Sequence, residues 1–135
     1  MAILRALGPR ADVVRAFLDQ TDATLFNPAS LSRRERELLA VAASEANGAT
    51  YSRDIHAALL EEEGDGPDGS PRDRALVDFA RRLTVSPREG PEAVADLSRH
   101  LTPDEVYDAI VVVAHMNTAN RVVLAAGITP DDDLF

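Results

Sequence analysis

A serine and a histidine stand four residues apart in the segment ANGATYSRDIHAAL, which runs from Ala46 to Leu59. On a helix, Ser52 and His56 would share one face, one turn apart. Ser52 would lie in the first turn, where unpaired backbone N–H groups and the helix dipole favour negative charge. Glu37 precedes this segment, and an antiparallel pair of helices would bring its carboxylate to His56. The pattern therefore predicts a candidate site built from Glu37, Ser52 and His56.

These three residues allow two interpretations. In one, Glu37 orients His56, and His56 is the base that activates a nucleophilic Ser52. The spacing permits a hydroxyl–imidazole hydrogen bond, but no oxyanion hole is identifiable from the sequence. In the other, Ser52 caps the helix or bonds a backbone carbonyl, and Glu37 and His56 form a purely structural contact.

Two further polar residues lie in or beside the very apolar segment AIVVVAHM. His115 is either a core histidine with satisfied hydrogen bonds or a side chain that lines the same pocket as His56. For Asn117 the pattern favours a buried polar network or a subunit contact, and a place in the pocket is the alternative. Two histidines and a glutamate could suggest a metal site, but their wide separation supports one only weakly, so we expect no metal.

The composition excludes several other kinds of site. The chain has no cysteine, so it can form no thiol nucleophile, thiolate metal site or disulfide. All 14 basic residues are arginine, which excludes a Schiff-base lysine and a phosphate-binding P-loop lysine. A net charge of −9 without a basic stripe argues against binding to nucleic acid. We also expect no cofactor.

The length of 135 residues predicts a single domain over residues 1–135. The N-terminal segment MAILRALGPRAD has too short an apolar stretch for a signal peptide. No run reaches the roughly 18 apolar residues of a membrane span. We therefore expect a cytoplasmic protein with no membrane partner.

Helix-start signals recur along the chain and predict an all-α fold. Ser32, Ser70, Ser86 and Thr102 are each followed three residues later by an acid, and three of them directly precede proline. Thr50 is a further expected N-cap. With helical apolar spacing between these signals, the sequence predicts about six helices, near residues 10–25, 32–47, 50–63, 72–84, 87–99 and 103–126.

The last of these segments bears on assembly. Its β-branched run could form a buried strand, but the Thr102 cap and the alanine-rich continuation to Ala126 favour one long helix. A helix that is apolar nearly all round needs cover on nearly all sides. We therefore expect a homo-oligomer built from dimers or trimers. The acidic end TPDDDLF is predicted to be a tail, with Leu134 and Phe135 available to dock on a neighbour.

The segment LSRRERELLAVAASEANGATYSRDIHAAL resembles the core of the AhpD-like proteins of the carboxymuconolactone decarboxylase superfamily. In that core a glutamate precedes an Asn-Gly-Cys-x-x-Cys-x-x-x-His motif. ALVDFARRLT and LTPDEVYDAIVVVAHMNTANRVVLAAGI resemble the rest of its peroxidase-related branch, so the resemblance runs from about Val13 to Ile128. It implies an all-α helical bundle that assembles into trimers or hexamers, with alkylhydroperoxidase-type thiol peroxidase or disulfide reductase activity.

Both sulfur positions of the motif hold other residues here. In this resemblance Ala49 stands at the resolving cysteine, Ser52 at the peroxide-attacking cysteine, and Tyr51 between them. Glu37 and His56 match the acidic and histidine members of the family's proton relay. A serine hydroxyl cannot be oxidised through a sulfenic acid to a disulfide. We therefore predict a cysteine-less relative that no longer performs dithiol peroxidase chemistry but retains a Glu37–His56 pocket for a small-molecule ligand.

Two alternatives remain open for a chain with this resemblance. The carboxymuconolactone decarboxylases lack the cysteine pair, keep a histidine near this point and act on an acidic lactone. Proton transfer by His56 and Glu37, with help from Tyr51, would need no sulfur. The other alternative is a structural oligomer without catalysis.

Overall fold

A computed structural model of the protein describes residues 1–64 and 66–132, and within them it contains seven α-helices and no strand. The predicted all-α fold is confirmed. The helices are α1 (Ala2–Ala6), α2 (Ala11–Thr21), α3 (Arg33–Asn47), α4 (Thr50–Glu62), α5 (Pro71–Val85), α6 (Gly90–Leu97) and α7 (Pro103–Ala125). A π-helical turn (Asp22–Phe26) extends α2, and a 3-10 turn (Pro87–Glu89) precedes α6. Leu134 and Phe135 lie outside the described residues.

Three of the predicted caps form. The side chains of Ser32, Ser70 and Thr102 accept hydrogen bonds from the backbone N–H three residues later, and each cap residue has an extended backbone. Ser32 and Thr102 complete reciprocal capping boxes with Glu35 and Glu105. These local signals set the starts of α3, α5 and α7.

Two predicted starts and the helix count need correction. Ser86 has φ −134° and ψ 68° and makes no side-chain cap, so a 3-10 turn intervenes and α6 begins only at Gly90. Thr50 is the first residue of α4 rather than its cap. The cap position falls to Ala49, because Gly48 ends α3 in the left-handed conformation, with φ 69°, and leaves one residue between the helices. The additional helix, α1, has only five residues.

The core is organised around α3, which packs against α4, α5 and α7. Its buried apolar side chains are Leu38, Leu39, Ala40, Ala42 and Ala43. Each fully buried leucine contributes about 1.5–3 kcal/mol relative to exposure, and the small alanines allow neighbouring helices to approach closely. The long helix α7 has 23 residues, yet no helix among the described residues is long and apolar enough to cross a membrane.

One arginine joins the ends of three helices. The Nε of Arg72, near the start of α5, lies 2.5 Å from Glu35 Oε1, and its Nη2 lies 2.8 Å from Glu105 Oε1. Its Nη1 also donates to the backbone carbonyl of His100. Because Glu35 and Glu105 are the acids of the two capping boxes, Arg72 links the starts of α3, α5 and α7.

The amphipathic helix α2 lies loosely on this bundle. None of its residues is buried, although its spacing of Val13, Val14, Phe17 and Leu18 forms an apolar stripe. Leu18 remains 39% exposed, and Phe26 in the following π-helical turn remains 43% exposed. The apolar side of α2 therefore covers the bundle only in part, and the space beneath it forms the candidate site.

Candidate functional site

The structure brings Glu37 and His56 into direct contact. The αL turn at Gly48 folds α4 back along α3, and His56 Nδ1 then lies 2.7 Å from Glu37 Oε2. Glu37 is completely buried, and the His56 side chain is 11% exposed. A buried carboxylate needs a counter-charge or several hydrogen bonds, and Glu37 obtains its hydrogen bonds from two directions.

The second partner of Glu37 is Arg33, which was not among the predicted site residues. Arg33 Nε lies 2.7 Å from Glu37 Oε1, one helical turn away, and the guanidinium stacks 4.2 Å from the ring centroid of Phe26. Arg33 neutralises the negative charge of the Glu37 carboxylate. The buried Glu37 therefore does not need a cationic His56 as its counter-charge. The i,i+4 spacing of Arg33 and Glu37 in the sequence is the signal that could have identified this pair.

A cavity of about 80 Å³ lies between α1, α2, α4 and α7, and His56 is part of its wall. Three of the predicted site residues, Tyr51, Ser52 and His115, also line it. Its remaining lining is mainly apolar and includes Ile3, Phe17, Leu25, Ile55, Leu59 and Met116. At about half the volume of an engineered cavity that binds benzene, it has room for several non-hydrogen atoms. We call this space the α2–α7 cavity.

Ser52 lies in the cavity wall, 4% exposed, at the third position of α4. With Nδ1 of His56 bonded to Glu37, a serine–base pair would need Nε2, and among the described residues the Ser52 hydroxyl makes no hydrogen bond to His56. The Ser-His-acid arrangement considered from the sequence is therefore not assembled among the described residues. Ala49 is 1% exposed and is the N-cap of α4. Tyr51 is buried beside Ile55, in the cluster that joins α4 to α1 and α7.

His115 lies in the core and also lines the α2–α7 cavity. Its Nε2 lies 2.9 Å from the Thr21 hydroxyl, and that hydroxyl donates its hydrogen to the Phe17 carbonyl at 2.8 Å. The hydroxyl must therefore accept from Nε2–H, which leaves Nδ1 of a neutral imidazole as a bare acceptor. Among the described residues Nδ1 has no partner.

The electrostatic surroundings of His115 keep its ring neutral. Burial, which disfavours the imidazolium, and to a smaller extent the nearby charge of His56 together lower the pKa of His115 from 6.5 to about 4. The Phe17 ring packs against the imidazole with its centroid 5.1 Å away. His115 therefore presents an uncharged face to the cavity over the neutral pH range.

Asn117 lies outside the cavity. Its Nδ2 donates to the Thr84 hydroxyl and to the Val113 carbonyl, and its Oδ1 accepts from Asn47 Nδ2 and Arg121 Nη1. These bonds form a polar network between α3, α5 and α7. In the described part of the chain, no group of three His, Asp or Glu side chains could hold a metal ion.

This chain is similar in sequence and in fold to known proteins. Residues 11–69 match the model of the carboxymuconolactone decarboxylase family. The crystal structure of an alkylhydroperoxidase AhpD core, an uncharacterised peroxidase-related protein from Ralstonia eutropha JMP134, superposes with a TM-score of 0.82 at 29% identity. That match covers 93% of this chain and 74% of the other. The fold of this chain is AhpD-like.

Two more proteins resemble this AhpD-like chain. An uncharacterised peroxidase-related protein from Silicibacter sp. TM1040 has a TM-score of 0.82 at 26% identity, covering 95% of this chain and 75% of the other. The uncharacterised protein YdfG of Bacillus subtilis (strain 168) is 22% identical over 113 residues, which cover 73% of this chain and 77% of YdfG. The predicted resemblance to the family and to its peroxidase-related branch is confirmed, and the chain carries no cysteine.

Proposed function

We propose that this AhpD-like chain binds a small molecule in the α2–α7 cavity and does not perform dithiol peroxidase chemistry. One observation carries the proposal: the hydrogen-bonded Glu37–His56 pair lies at the wall of an apolar cavity. Ala49 and Ser52 stand where the resemblance to the family would place the two cysteines. The polar pair and the cavity remain together without the sulfur atoms that peroxide reduction needs.

The chemistry available at this site is limited by its side chains. Neither an alanine methyl nor a serine hydroxyl can be oxidised to a sulfenic acid, and the chain has no other residue able to form a disulfide. The apolar lining favours burial of an uncharged ligand, because moving an ion into such surroundings without a partner is costly.

A second candidate function is proton transfer of the carboxymuconolactone decarboxylase type. The bond between His56 Nδ1 and Glu37 favours it, because a carboxylate on one imidazole nitrogen orients the ring and leaves Nε2 as the proton acceptor. The salt bridge from Arg33 holds Glu37 in place from the opposite side. In this function Glu37 and Arg33 are positioning residues and His56 is the base.

We also propose that the chain forms a homo-oligomer. The outer side of α7 carries apolar side chains that no described residue covers, with Tyr107 69% exposed and Val111 43% exposed. Ile110 beside them is only partly buried. Apolar patches of this kind on a soluble chain are frequently interaction sites, and a second copy of the same surface would form a symmetric contact.

Ligand binding can be tested with the methionine methyl groups as reporters. The chain has two methionines, Met1 and Met116, and both line the cavity. A fragment screen against protein with ¹³C-labelled methionine methyl groups should find compounds that shift the Met116 resonance. Saturating ligands should also raise the unfolding temperature, since a ligand at 100 times its dissociation constant adds about 2.7 kcal/mol.

A pair of alanine substitutions on α7 provides the control. Ala119 lines the cavity and Ala114 is exposed, so Ala119→Leu should fill the space while Ala114→Leu should not. Ligands that bind in the cavity should lose their effect on Met116 in Ala119→Leu and keep it in Ala114→Leu. If no compound in the screen shifts a methionine methyl resonance or raises the unfolding temperature of the wild-type protein, the binding proposal is overturned and a structural oligomer is favoured.

A further inference from the structure

We infer that one exposed row of side chains on α7 pairs antiparallel with the same row of a second copy of this chain, in one defined register. We call this row the outer stripe, and its members are Asp104, Tyr107, Val111, Ala114, Thr118 and Arg121. The inference rests on the proposed homo-oligomer. It specifies which surface forms the contact, in which direction the two helices run, and which residues face each other.

The outer stripe has the spacing of a coiled-coil seam. From Asp104 to Arg121 its members are the exposed positions of α7, and they recur at alternating intervals of three and four residues. An average interval of about 3.5 residues keeps a row of side chains directed at a partner helix along its whole length. A second helix can therefore lie along the entire stripe.

The middle of the outer stripe is uncharged, although 27% of the chain consists of charged residues. From Tyr107 to Thr118 the exposed side chains of α7 are an aromatic ring, a valine, an alanine and a threonine. The cores of protein interfaces are depleted in charge and enriched in tyrosine. The charges of the stripe lie only at its two ends, where an interface has its polar rim.

The outer stripe is complementary to itself when one copy is reversed. Its first half carries the large side chains Tyr107 and Val111, and its second half carries the small side chains Ala114 and Thr118. An antiparallel pair with its two-fold axis between positions 112 and 113 places Val111 opposite the partner's Ala114. It likewise places Tyr107 opposite the partner's Thr118. Each large side chain then faces a small one, and the two-fold axis repeats every contact.

A groove beside the second half of the stripe is suited to the tyrosine ring. It has a volume of about 410 Å³, and Leu83, Pro87, Ala114 and Thr118 are among its lining residues. In the antiparallel pair, the partner's Tyr107 projects toward Thr118 and its ring lies in this groove. An aromatic side chain that fills an apolar groove of the partner is the usual anchor of an interface.

The charges at the two ends of the stripe favour the same direction and register. Among the described residues Asp104 makes no ion pair, and Arg121 donates through Nη1 to Asn117 rather than to an acid. In the antiparallel pair each Asp104 lies opposite the partner's Arg121. A parallel pair would place each charge against its like. A shift by one heptad would leave Asp104 without a counter-charge. Rim charges of this kind select an arrangement more than they add affinity.

A substitution in the middle of the stripe tests whether it forms the contact. Val111→Glu places two carboxylates beside the two-fold axis without a counter-charge, so it should halve the mass measured by sedimentation equilibrium. Halving is expected for a dimer and for a larger symmetric assembly of such dimers, because only the two-fold contact is lost. Leu124→Glu is the matched control. It lies on the same helix outside the stripe, with 48% exposure against 43% for Val111, and should keep the wild-type mass.

Disulfide trapping tests the direction and the register, since the chain has no cysteine of its own. Asp104→Cys and Arg121→Cys, co-expressed and then oxidised, should give a covalent dimer on a non-reducing gel. Either variant alone should not, because the two copies of one position lie about 25 Å apart along the antiparallel helices, and a disulfide needs Cα atoms within about 7 Å. Asp104→Cys co-expressed with Glu62→Cys, at an exposed position on α4, controls for random collisions.

The outcomes separate this inference from the proposal on which it rests. If the wild type is an oligomer, an unchanged mass in Val111→Glu or the absence of a covalent dimer in the Asp104→Cys and Arg121→Cys mixture overturns the inference, and the assembly uses another surface. If the wild type is a monomer, the proposed homo-oligomer itself fails, and the outer stripe is left to a partner of different sequence. Ligand binding is tested independently through the Met116 resonance.

Discussion

Lowering the pH should destabilise this protein through His115, and replacing His115 with phenylalanine should remove most of that effect. The pKa of His115 is about 4 in the folded chain because burial disfavours the imidazolium, against 6.5 for the unperturbed group. Above pH 6.5 the ring is neutral in both states and contributes no pH dependence. Between pH 6.5 and 4 the unfolded chain binds a proton that the folded chain does not, so stability falls as the pH falls.

The size of the effect follows from the difference between the two pKa values. Each unit corresponds to 1.36 kcal/mol. Between pH 7.5 and pH 5 the contribution of His115 to the free energy of unfolding should therefore fall by about 2 kcal/mol. The full difference, roughly 3 kcal/mol, is reached only below pH 4, where the ring is protonated in both states.

His115→Phe is a suitable perturbation. The Thr21 hydroxyl still donates to the Phe17 carbonyl after the substitution, and the new ring can pack against Phe17 as the imidazole does. The variant also loses the unpartnered Nδ1. We therefore expect its stability at pH 7.5 to lie within about 1 kcal/mol of wild type.

Urea unfolding followed by circular dichroism, from pH 7.5 to pH 5, measures these free energies. Other groups also titrate over this range, so the quantity of interest is the difference in pH dependence between wild type and variant. That difference should be about 2 kcal/mol for His115→Phe and near zero for His100→Gln, since His100 is exposed. Equal pH dependence in wild type and His115→Phe would refute the assignment of a buried neutral histidine.

Three other predictions follow from the same structure. The wild type should consume no hydroperoxide above blank, whereas Ala49→Cys with Ser52→Cys should form an intramolecular disulfide at the start of α4 and show at least weak turnover with a dithiol reductant. Either single variant should fail to sustain that cycle, and equal activity in wild type and double variant would contradict the role assigned to sulfur loss. Gly48→Ala should lower the free energy of unfolding by about 1 kcal/mol, because an added Cβ meets no atom within 4 Å and only the φ of 69° is strained. Gly48→Asn should cost less. Sedimentation at micromolar concentration should show a species larger than the 14.5-kDa chain, and a single species of that mass would rule out the oligomer.

Much of the fold was predictable because its signals are local. A capping box places a hydroxyl and an acid three residues apart, and both bond to the backbone of the same turn, so Ser32 and Thr102 mark their helices without outside help. The short α1 carries no such signal. Ala2 and Ile3 are held by packing in the cluster with Tyr51 and Val123. Ser86 shows the converse, since it has the cap pattern in sequence but not the extended backbone that capping requires.

The candidate site was predictable only in part. The contact between Glu37 and His56 could be expected from a helical hairpin, and the Arg33–Glu37 pair was visible as an i,i+4 spacing. His115 and Asn117 were both considered as pocket residues, yet positions two apart on a helix are separated by roughly 200° around its axis. The two side chains therefore lie on different sides of α7, and only His115 lines the cavity.

The sequence by itself determined the chemistry that is impossible here and the local geometry of most helices. The absence of cysteine excludes dithiol catalysis in any fold, and the caps act within one turn of backbone. The tertiary structure alone decided which side of α7 faces the cavity, because a helix that is apolar nearly all round has no periodic signal for its rotation. It also decided the protonation of His115. Its partner Thr21 is 94 residues away in the chain, and its neutral form results from burial, a property that no single segment has before the helices pack.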